Sequence, residues 1–271
     1  RHRLNQRFGK NHDLTDTNRT LKAEDIVDVM REIIRLNNNL AAKSDNIDHI
    51  KDKITFEEAD LLDAHSLYTV VDKIKPDYIF HLAAQSFVSA SWTSPESTFD
   101  INANGLIRLL EAVRNFGDKD TRIFQASSSE MFGKVQETPQ KETTKFYPRS
   151  IYGCSKAAAH YIAINYRESY NMFVSTAISF NHTSFRRGLE FVERKISYGV
   201  AKIYLKLAEY IELGSLEPKR DWGWAPEYCE AFWRMLQLDK PDDFVLATGE
   251  THSIREFLQT AFECVEIYNW Q

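Results

Sequence analysis

The chain has 271 residues, 43% apolar and 27% charged, enough to bury a full core without staples and far from a disordered or fibrous composition. With 34 Lys and Arg against 39 Asp and Glu, the formal net charge is −5, so no net basic field exists to hold nucleic acid or an anionic membrane. A mean hydropathy of −0.45 and the lack of any apolar run of about 18 residues argue against a membrane-spanning helix.

Residues 1–20 are polar and aperiodic and read as loop. Over 21–40 the apolar residues Ile26, Val29, Met30, Ile33, Leu36 and Leu40 recur at three or four, which predicts an amphipathic helix. No signal peptide is recognisable, because the basic start is not followed by an apolar segment. Beyond residue 53 the pattern becomes regular. A strand is expected over 54–60 and a helix over 66–74, stopped by Pro76. The continuous apolar run 77–84 predicts a strand buried on both faces of a parallel sheet. A helix over 98–116 closed by Gly117, a strand over 122–127, a helix over 152–170, a strand over 173–180 and a helix over 191–207 follow. This alternation predicts an α/β fold, a Rossmann-type doubly wound parallel sheet. From about residue 181 the rhythm loosens. A short strand at 210–213, an unassigned segment 219–236, a strand at 243–248 and a helix from His252 form a smaller C-terminal lobe.

Two counts bear on context. Cys154, Cys229 and Cys264 lie far apart with no Cys-x-x-Cys pair, which fits a reducing, cytoplasmic compartment and offers neither a disulfide framework nor a zinc site; no metal is expected. Only 10 residues are glycine, and Gly9 is the only one before Gly105. The chain opens on Arg1 rather than Met and reads as processed or truncated.

Several of the chemistry-bearing residues follow predicted strands. Tyr152 and Lys156, four apart at the start of a helix, share one face, and a nearby ammonium favours a phenolate that can act as a base. The plain alternative is a pair of surface residues. Ser128 and Glu130 follow directly on a strand, where ligands bind in open α/β sheets; they also read as turn formers. Leu82, Ala83, Ala84, Gln85 and Ser86 end another strand with small residues that admit a ligand close to the backbone, or serve tight packing. Asp60 and Leu61 end the strand before, where an acid can accept from an adenine amino group or simply face water. Arg186, Arg187, Lys219 and Arg220 concentrate arginine forks suited to phosphate, with surface ion pairing as the default for each. Lys195 carries the same two readings.

Together the stretches QASSSEMFGKVQETPQKETTKFYPRSIYGCSK (125–156), FNHTSFRRG (180–188), FVERKI (191–196), AKIYL (201–205), LGSLEPKRDWGWAPEYCEAFW (213–233) and DFVLATGETHSIREF (243–257) resemble the GDP-mannose 4,6-dehydratase family of the extended short-chain dehydrogenase/reductase superfamily. The resemblance covers about residues 54–262. It implies Ser128, Glu130, Tyr152 and Lys156 as catalytic residues. Cofactor positions fall on Asp60, Leu61, Leu82, Ala83, Ala84, Gln85, Ser86, Lys156, His182 and Arg187, and nucleotide-sugar positions on Asn181, Lys195 and Arg220. It further implies NADP, with NAD as a variant, GDP-mannose or a related GDP-sugar as substrate, a 4-keto-6-deoxy product and a homo-oligomer. Residues 1–180 would form the cofactor-binding domain, with 1–53 divergent or incomplete, and 181–271 an interleaved substrate-binding lobe with an incomplete C-terminus.

The sequence also departs from that family. Its first strand and Gly-x-x-Gly-x-x-Gly turn, which hold the dinucleotide pyrophosphate, are absent from this chain, with Arg1 and Arg3 as candidate remnants of the arginine pair that follows the family's second strand. The family's Arg-Pro-x-Glu segment falls beyond Gln271. Thr183, Phe185, Ser215 and Trp224 stand where the family has Glu, Pro, Asn and His, while Ser128 replaces a threonine and keeps the hydroxyl. These changes leave the exact sugar open, a GDP-manno-heptose being one variant. Two readings follow: an active dehydratase, or a non-catalytic structural subunit that keeps the fold.

Overall fold

The structure, a computed structural model, describes residues 32–36, 47–268 and 270. Of these, 32–35 and 47–57 belong to one compact unit, and 36 together with 58–268 and 270 to another.

Strands β1 (Glu32–Leu36) and β2 (Thr55–Ala59) pair as a two-stranded ladder, with a 3-10 turn at Asp48–Lys53 just before β2. The helix expected over 21–40 is therefore corrected at 32–36, which is strand. Ile33 and Ile34 are adjacent and β-branched, stiff at χ1 and suited to a pleated surface, and a short apolar run cannot be assigned by periodicity alone. The rest of that span, the loop expected over 1–20, and Arg1 and Arg3 lie outside the described residues.

The second unit is built on one parallel sheet. Its strands β3 (Tyr78–His81), β4 (Arg122–Ser128), β5 (Phe173–Ser179) and β9 (Asp243–Leu246) run in the order β3-β4-β5-β9. Ile123, Phe124 and Gln125 are buried in succession, as are Val174–Ile178, which is what a sheet covered on both faces requires. The helices supply that cover. Helix α1 (Ala64–Ile74) is capped by Asp63, which accepts from His65 N, and buries Leu67, Val70 and Val71. Helix α2 (Gly105–Phe116) continues from a π-helical turn at Asp100–Asn104. Helix α3 (Ile151–Tyr170) is capped by the Ser150 side chain and ends on Asn171 in the left-handed region.

The C-terminal residues contribute β6 (Asn181–Thr183), α4 (Val192–Tyr204), β7 (Lys219–Arg220), β8 (Trp222–Trp224), α5 (Ala225–Met235), β10 (His252–Ser253) and α6 (Ile254–Glu263). Strand β6 pairs parallel with β8, and β7 antiparallel with β10. Helix α5 lays Phe232 against Phe124 of the sheet, rings stacked at 4.1 Å. A second core of Ile196, Val200, Ile254, Leu258 and Phe262 joins α4 to α6, whose start is fixed by a Ser253–Glu256 capping box.

The strand expected at 210–213 does not form. Ile211 and Leu213 instead pack on the second core, while Tyr210 stays 70% exposed. The apolar run 77–84 leaves the sheet after His81, so residues 82–86 form a segment beyond the strand end.

Candidate active site

The carboxyl ends of β3, β4 and β5 lie side by side, with Ser128 of β4 opposite Ser179 of β5. Beyond Ser128 the chain turns sharply. The Ser128 hydroxyl accepts from Glu130 N at 3.2 Å and caps the 3-10 turn Ser129–Met131, folding Glu130 back over the strand end. The chain leaves this turn through Gly133 at φ 49°, where a Cβ would lie 2.1 Å from the Tyr147 carbonyl oxygen. Only glycine fits there.

Helix α3 begins on the same turn. Ser150 Oγ accepts from Gly153 N at 3.0 Å, and a Cβ on Gly153 would sit 2.7 Å from the Glu130 carbonyl oxygen. The missing side chain thus seats the first turn of α3 directly on the Glu130 turn, which brings Tyr152 to Ser128. Tyr152 is buried. Burial pushes its phenol pKa up, the Ser128 hydroxyl pulls it down, the Glu130 carboxylate raises it and the Arg187 guanidinium lowers it. One turn along, Lys156 donates Nζ to the Ala126 carbonyl at 2.9 Å and lies 5.9 Å from the Tyr152 ring centroid. Burial lowers its pKa to about 8.

A histidine that sequence reasoning passed over completes the group. His81, last residue of β3, is buried, and burial together with the Lys156 ammonium lowers its pKa to about 3. A lone His in an apolar strand gives little signal of this. The unfolded chain protonates it near 6.5 and the folded chain refuses the proton, so its contribution is complete above pH 6.5 and is lost as pH falls toward 3. Urea unfolding at about pH 7 and pH 5 is expected to show stability falling by roughly 1 kcal/mol per pH unit for each such histidine, and His81→Asn should flatten that dependence. His160 and His182, also held below their usual value mainly by burial, contribute in the same direction.

The segment after β3 is held by a residue equally missed. Asn102 Oδ1 accepts from Gln85 N at 2.8 Å, while its Nδ2 donates to the Gln85 carbonyl at 3.1 Å and to Ser155 Oγ of α3 at 3.0 Å. This fixes residues 82–86 against α3. Leu82 and Ser86 are exposed, Ala83 and Ala84 half-buried, and Gln85 buried. Among the described residues four buried side-chain atoms have no hydrogen-bond partner, Gln125 Oε1 within β4 and, at or beyond the strand ends, Gln85 Oε1, Ser179 Oγ and Arg187 Nε. Such orphans are uncommon, and the last three belong to the segment after β3, the end of β5 and the loop after β6. A ligand with amide and hydroxyl groups, as a nicotinamide nucleoside has, would satisfy them. The residues present fit such a group.

The other expected positions are distributed around this centre. One oxygen of the Asp60 carboxylate accepts from Leu62 N at 2.9 Å. Leu61 is fully buried, and its carbonyl accepts from Arg108 at 2.9 Å. His182 stacks on Tyr228 at 4.5 Å and shares a hydrogen bond between Nδ1 and the Phe180 carbonyl oxygen. The Arg187 guanidinium lies 3.6 Å over the Phe191 ring. Asn181 is half-buried opposite Trp222; Lys195 on α4 and Arg220 on β7 are exposed, and no hydrogen bond among the described residues joins either to Tyr152. Thr183 and Trp224 are register partners, and the Phe185 ring lies 6.2 Å from that of Trp224. Three departures noted in the sequence therefore meet in space.

Comparison with known proteins follows the same lines. Residues 19–271 match the family model described as GDP-mannose 4,6 dehydratase. The chain is 50% identical over 219 residues to the GDP-mannose 4,6 dehydratase of Drosophila melanogaster, covering 80% of this chain and 55% of that protein. It is 51% identical over 215 residues to the human GDP-mannose 4,6 dehydratase, covering 79% and 58%. The chain thus spans little more than half the length of these relatives. Among solved structures, RMD from Pseudomonas aeruginosa complexed with NADPH superposes with a TM-score of 0.72 at 25% identity, over 78% of this chain and 73% of that one. The UDP-glucose 4-epimerase of Thermus thermophilus in complex with NAD gives 0.75 at 25% identity, over 89% and 79%.

Proposed function

The chain belongs to the GDP-mannose 4,6-dehydratase family, and from that premise we propose that it is a catalytic member, a lyase that converts GDP-mannose or a related GDP-sugar to the 4-keto-6-deoxy derivative with loss of water. The observation that carries this reading is the meeting of Ser128, Glu130 and Tyr152 at one strand end with Lys156 buried one turn along.

Each side chain has a task its surroundings suit. Tyr152, as phenolate, takes the proton from the sugar O4, and Ser128 hydrogen-bonds that oxygen. The Lys156 ammonium, held by the Ala126 carbonyl, keeps the phenolate accessible at neutral pH. A ketone at C4 makes the C5 proton acidic, so Glu130 removes it as base and returns it as acid to the departing C6 hydroxyl. Bound NADP would supply what side chains cannot, a store for the hydride that leaves C4 and returns at C6, while the proton that balances this return reaches C5 from a group in exchange with solvent, so the reaction has no net redox change.

The same proposal covers the ligands. Asp60, Leu61, Leu82–Ser86, Lys156, His182 and Arg187 would hold the cofactor, NADP by analogy with the NADPH of the Pseudomonas protein, with NAD as the variant found in the Thermus epimerase. Asn181, Lys195 and Arg220 would hold the nucleotide sugar, so that residues 1–180 form the cofactor domain and 181–271 an interleaved substrate lobe from which His182 and Arg187 also reach the cofactor. The Thr183–Phe185–Trp224 group is where the sugar preference would be set. A homo-oligomer is part of the reading; the exposed Trp92, Phe99 and Tyr161 are aromatic surface for it to cover. Among the described residues no helix is long and apolar enough to cross a membrane, and a cytoplasmic location suits the free thiols of Cys154, Cys229 and Cys264.

Incubating the full-length protein with GDP-mannose and NADP in deuterated water tests this. The expected product has a C6 methyl group, a C4 ketone and solvent deuterium at C5. Saturable NADP(H) binding with GDP-mannose unchanged would instead support the non-catalytic subunit.

A further inference from the structure

We propose that His160 is a positioning residue for the Tyr152–Lys156 pair, pinning α3 at a fixed height against the sheet; its catalytic meaning rests on the dehydratase reading above. Residues 152, 156 and 160 recur at intervals of four and form one stripe of the helix. Each member meets β4. Tyr152 reaches Ser128, Lys156 bonds the Ala126 carbonyl at 2.9 Å, and His160 Nδ1 lies 3.0 Å from Ser127 Oγ.

Only His160 reaches further. Its Nδ1 is also 3.1 Å from Thr176 Oγ1 on β5, and Thr176 donates to Asp243 Oδ1 on β9 at 2.8 Å. Arg167, lower on the same helix, closes on that carboxylate with two bonds of 3.1 and 2.8 Å and donates to the Val174 carbonyl at 3.1 Å. The Thr176 hydrogen is committed to Asp243, so toward His160 this hydroxyl accepts, which places the imidazole proton on Nδ1. Burial keeps the ring neutral, against the pull of Asp243 and with the push of Arg167.

The need for such a pin comes from the composition of α3. Besides Tyr152, Lys156 and His160, its buried residues are Gly153, Ser155, Ala157, Ala159 and Ala163. A face this smooth offers few large side chains to lock into the sheet, so apolar packing alone resists sliding weakly. The polar links to three strands resist it, and a misplacement of about 1 Å in a reacting group costs on the order of 10²-fold in rate.

Three variants separate positioning from mere stability. His160→Phe fills the space without a polar atom, His160→Asn keeps an N–H near the place of Nδ1, and Ser127→Ala removes one partner. Two readouts are used: kcat and KM for GDP-mannose, and the pH dependence of Lys156 acetylation followed by mass spectrometry without substrate. The second reports a group faced by His81 and Tyr152, the latter flanked by Glu130 and Arg187, and needs no turnover. His160→Phe is expected to lower kcat about 10²-fold with KM within about 3-fold, and to move the Lys156 midpoint away from about 8. His160→Asn should return both most of the way. Ser127→Ala should shift both in the same direction by less, and it decides the matter should His160→Phe not fold. A His160→Phe protein that is less stable yet keeps the wild-type kcat and Lys156 midpoint overturns the proposal, as does a folded Ser127→Ala with neither changed. If the wild type leaves GDP-mannose untouched, the dehydratase reading fails, while an unmoved Lys156 midpoint still counts against His160 alone.

Discussion

Tyr152→Phe is expected to lower kcat for GDP-mannose by about 10³-fold while leaving NADPH affinity within about 3-fold. The substitution removes one oxygen from a ring that is already buried, so the packing of α3 on the Glu130 turn is retained and the fold loses little. What disappears, on the proposed mechanism, is the group that would accept the O4 proton. The described groups around it are poor replacements: Ser128 is a poor base, the Glu130 carboxylate is assigned to the C5 proton, Lys156 is cationic at neutral pH and committed to the Ala126 carbonyl, and His81 is held neutral with a pKa of about 3. The measurement is steady-state turnover at saturating substrate, with cofactor binding followed by tryptophan quenching. A variant that retained more than about a tenth of wild-type kcat would show that another group takes the proton.

The parts of this arrangement that the sequence reveals, and those it hides, divide along a physical line. Strands β4 and β5 are legible because short stretches carrying Ile123 and Phe124, and Val174, Ala177 and Ile178, alternate with long helical patterns, and α3 because a long helical pattern opens on Tyr152 and Lys156. Ser128 and Glu130 are legible as a hydroxyl and a carboxylate directly after a strand. Strand β1 is not, because Ile33, Leu36 and their spacing satisfy a helical period as well as a strand, and pairing with β2 decides between them. His81, Asn102 and His160 are equally hidden. Their roles come from contacts with residues distant in sequence, Lys156 for the first, Gln85 and Ser155 for the second, Ser127, Thr176 and Asp243 for the third. Each reads locally as an ordinary buried polar residue. The proximity of Phe185 to Trp224 is of the same kind, since it depends on β6 and β8 pairing in register.

Glu130→Gln should fail at a different step from Tyr152→Phe, and that difference is its test. The amide keeps the shape of the side chain, and the backbone features that build the turn, Glu130 N on Ser128 Oγ and the Glu130 carbonyl beneath Gly153, are untouched. Removal of the carboxylate also relieves a charge that raises the Tyr152 phenol, so the first proton transfer is expected to proceed as well as before or better. An amide cannot take the C5 proton or return it to the C6 oxygen, and overall turnover is expected to fall by about 10²- to 10⁴-fold. Sugar oxidised at C4 but not dehydrated then accumulates on the protein, and borodeuteride quenching should place deuterium at C4 of a hexose that still carries its C6 hydroxyl. Tyr152→Phe, blocked earlier, should give no such label. If both variants gave unlabelled hexose, Glu130 would belong to the oxidation step, and the C5 proton would need another acceptor at the end of β4.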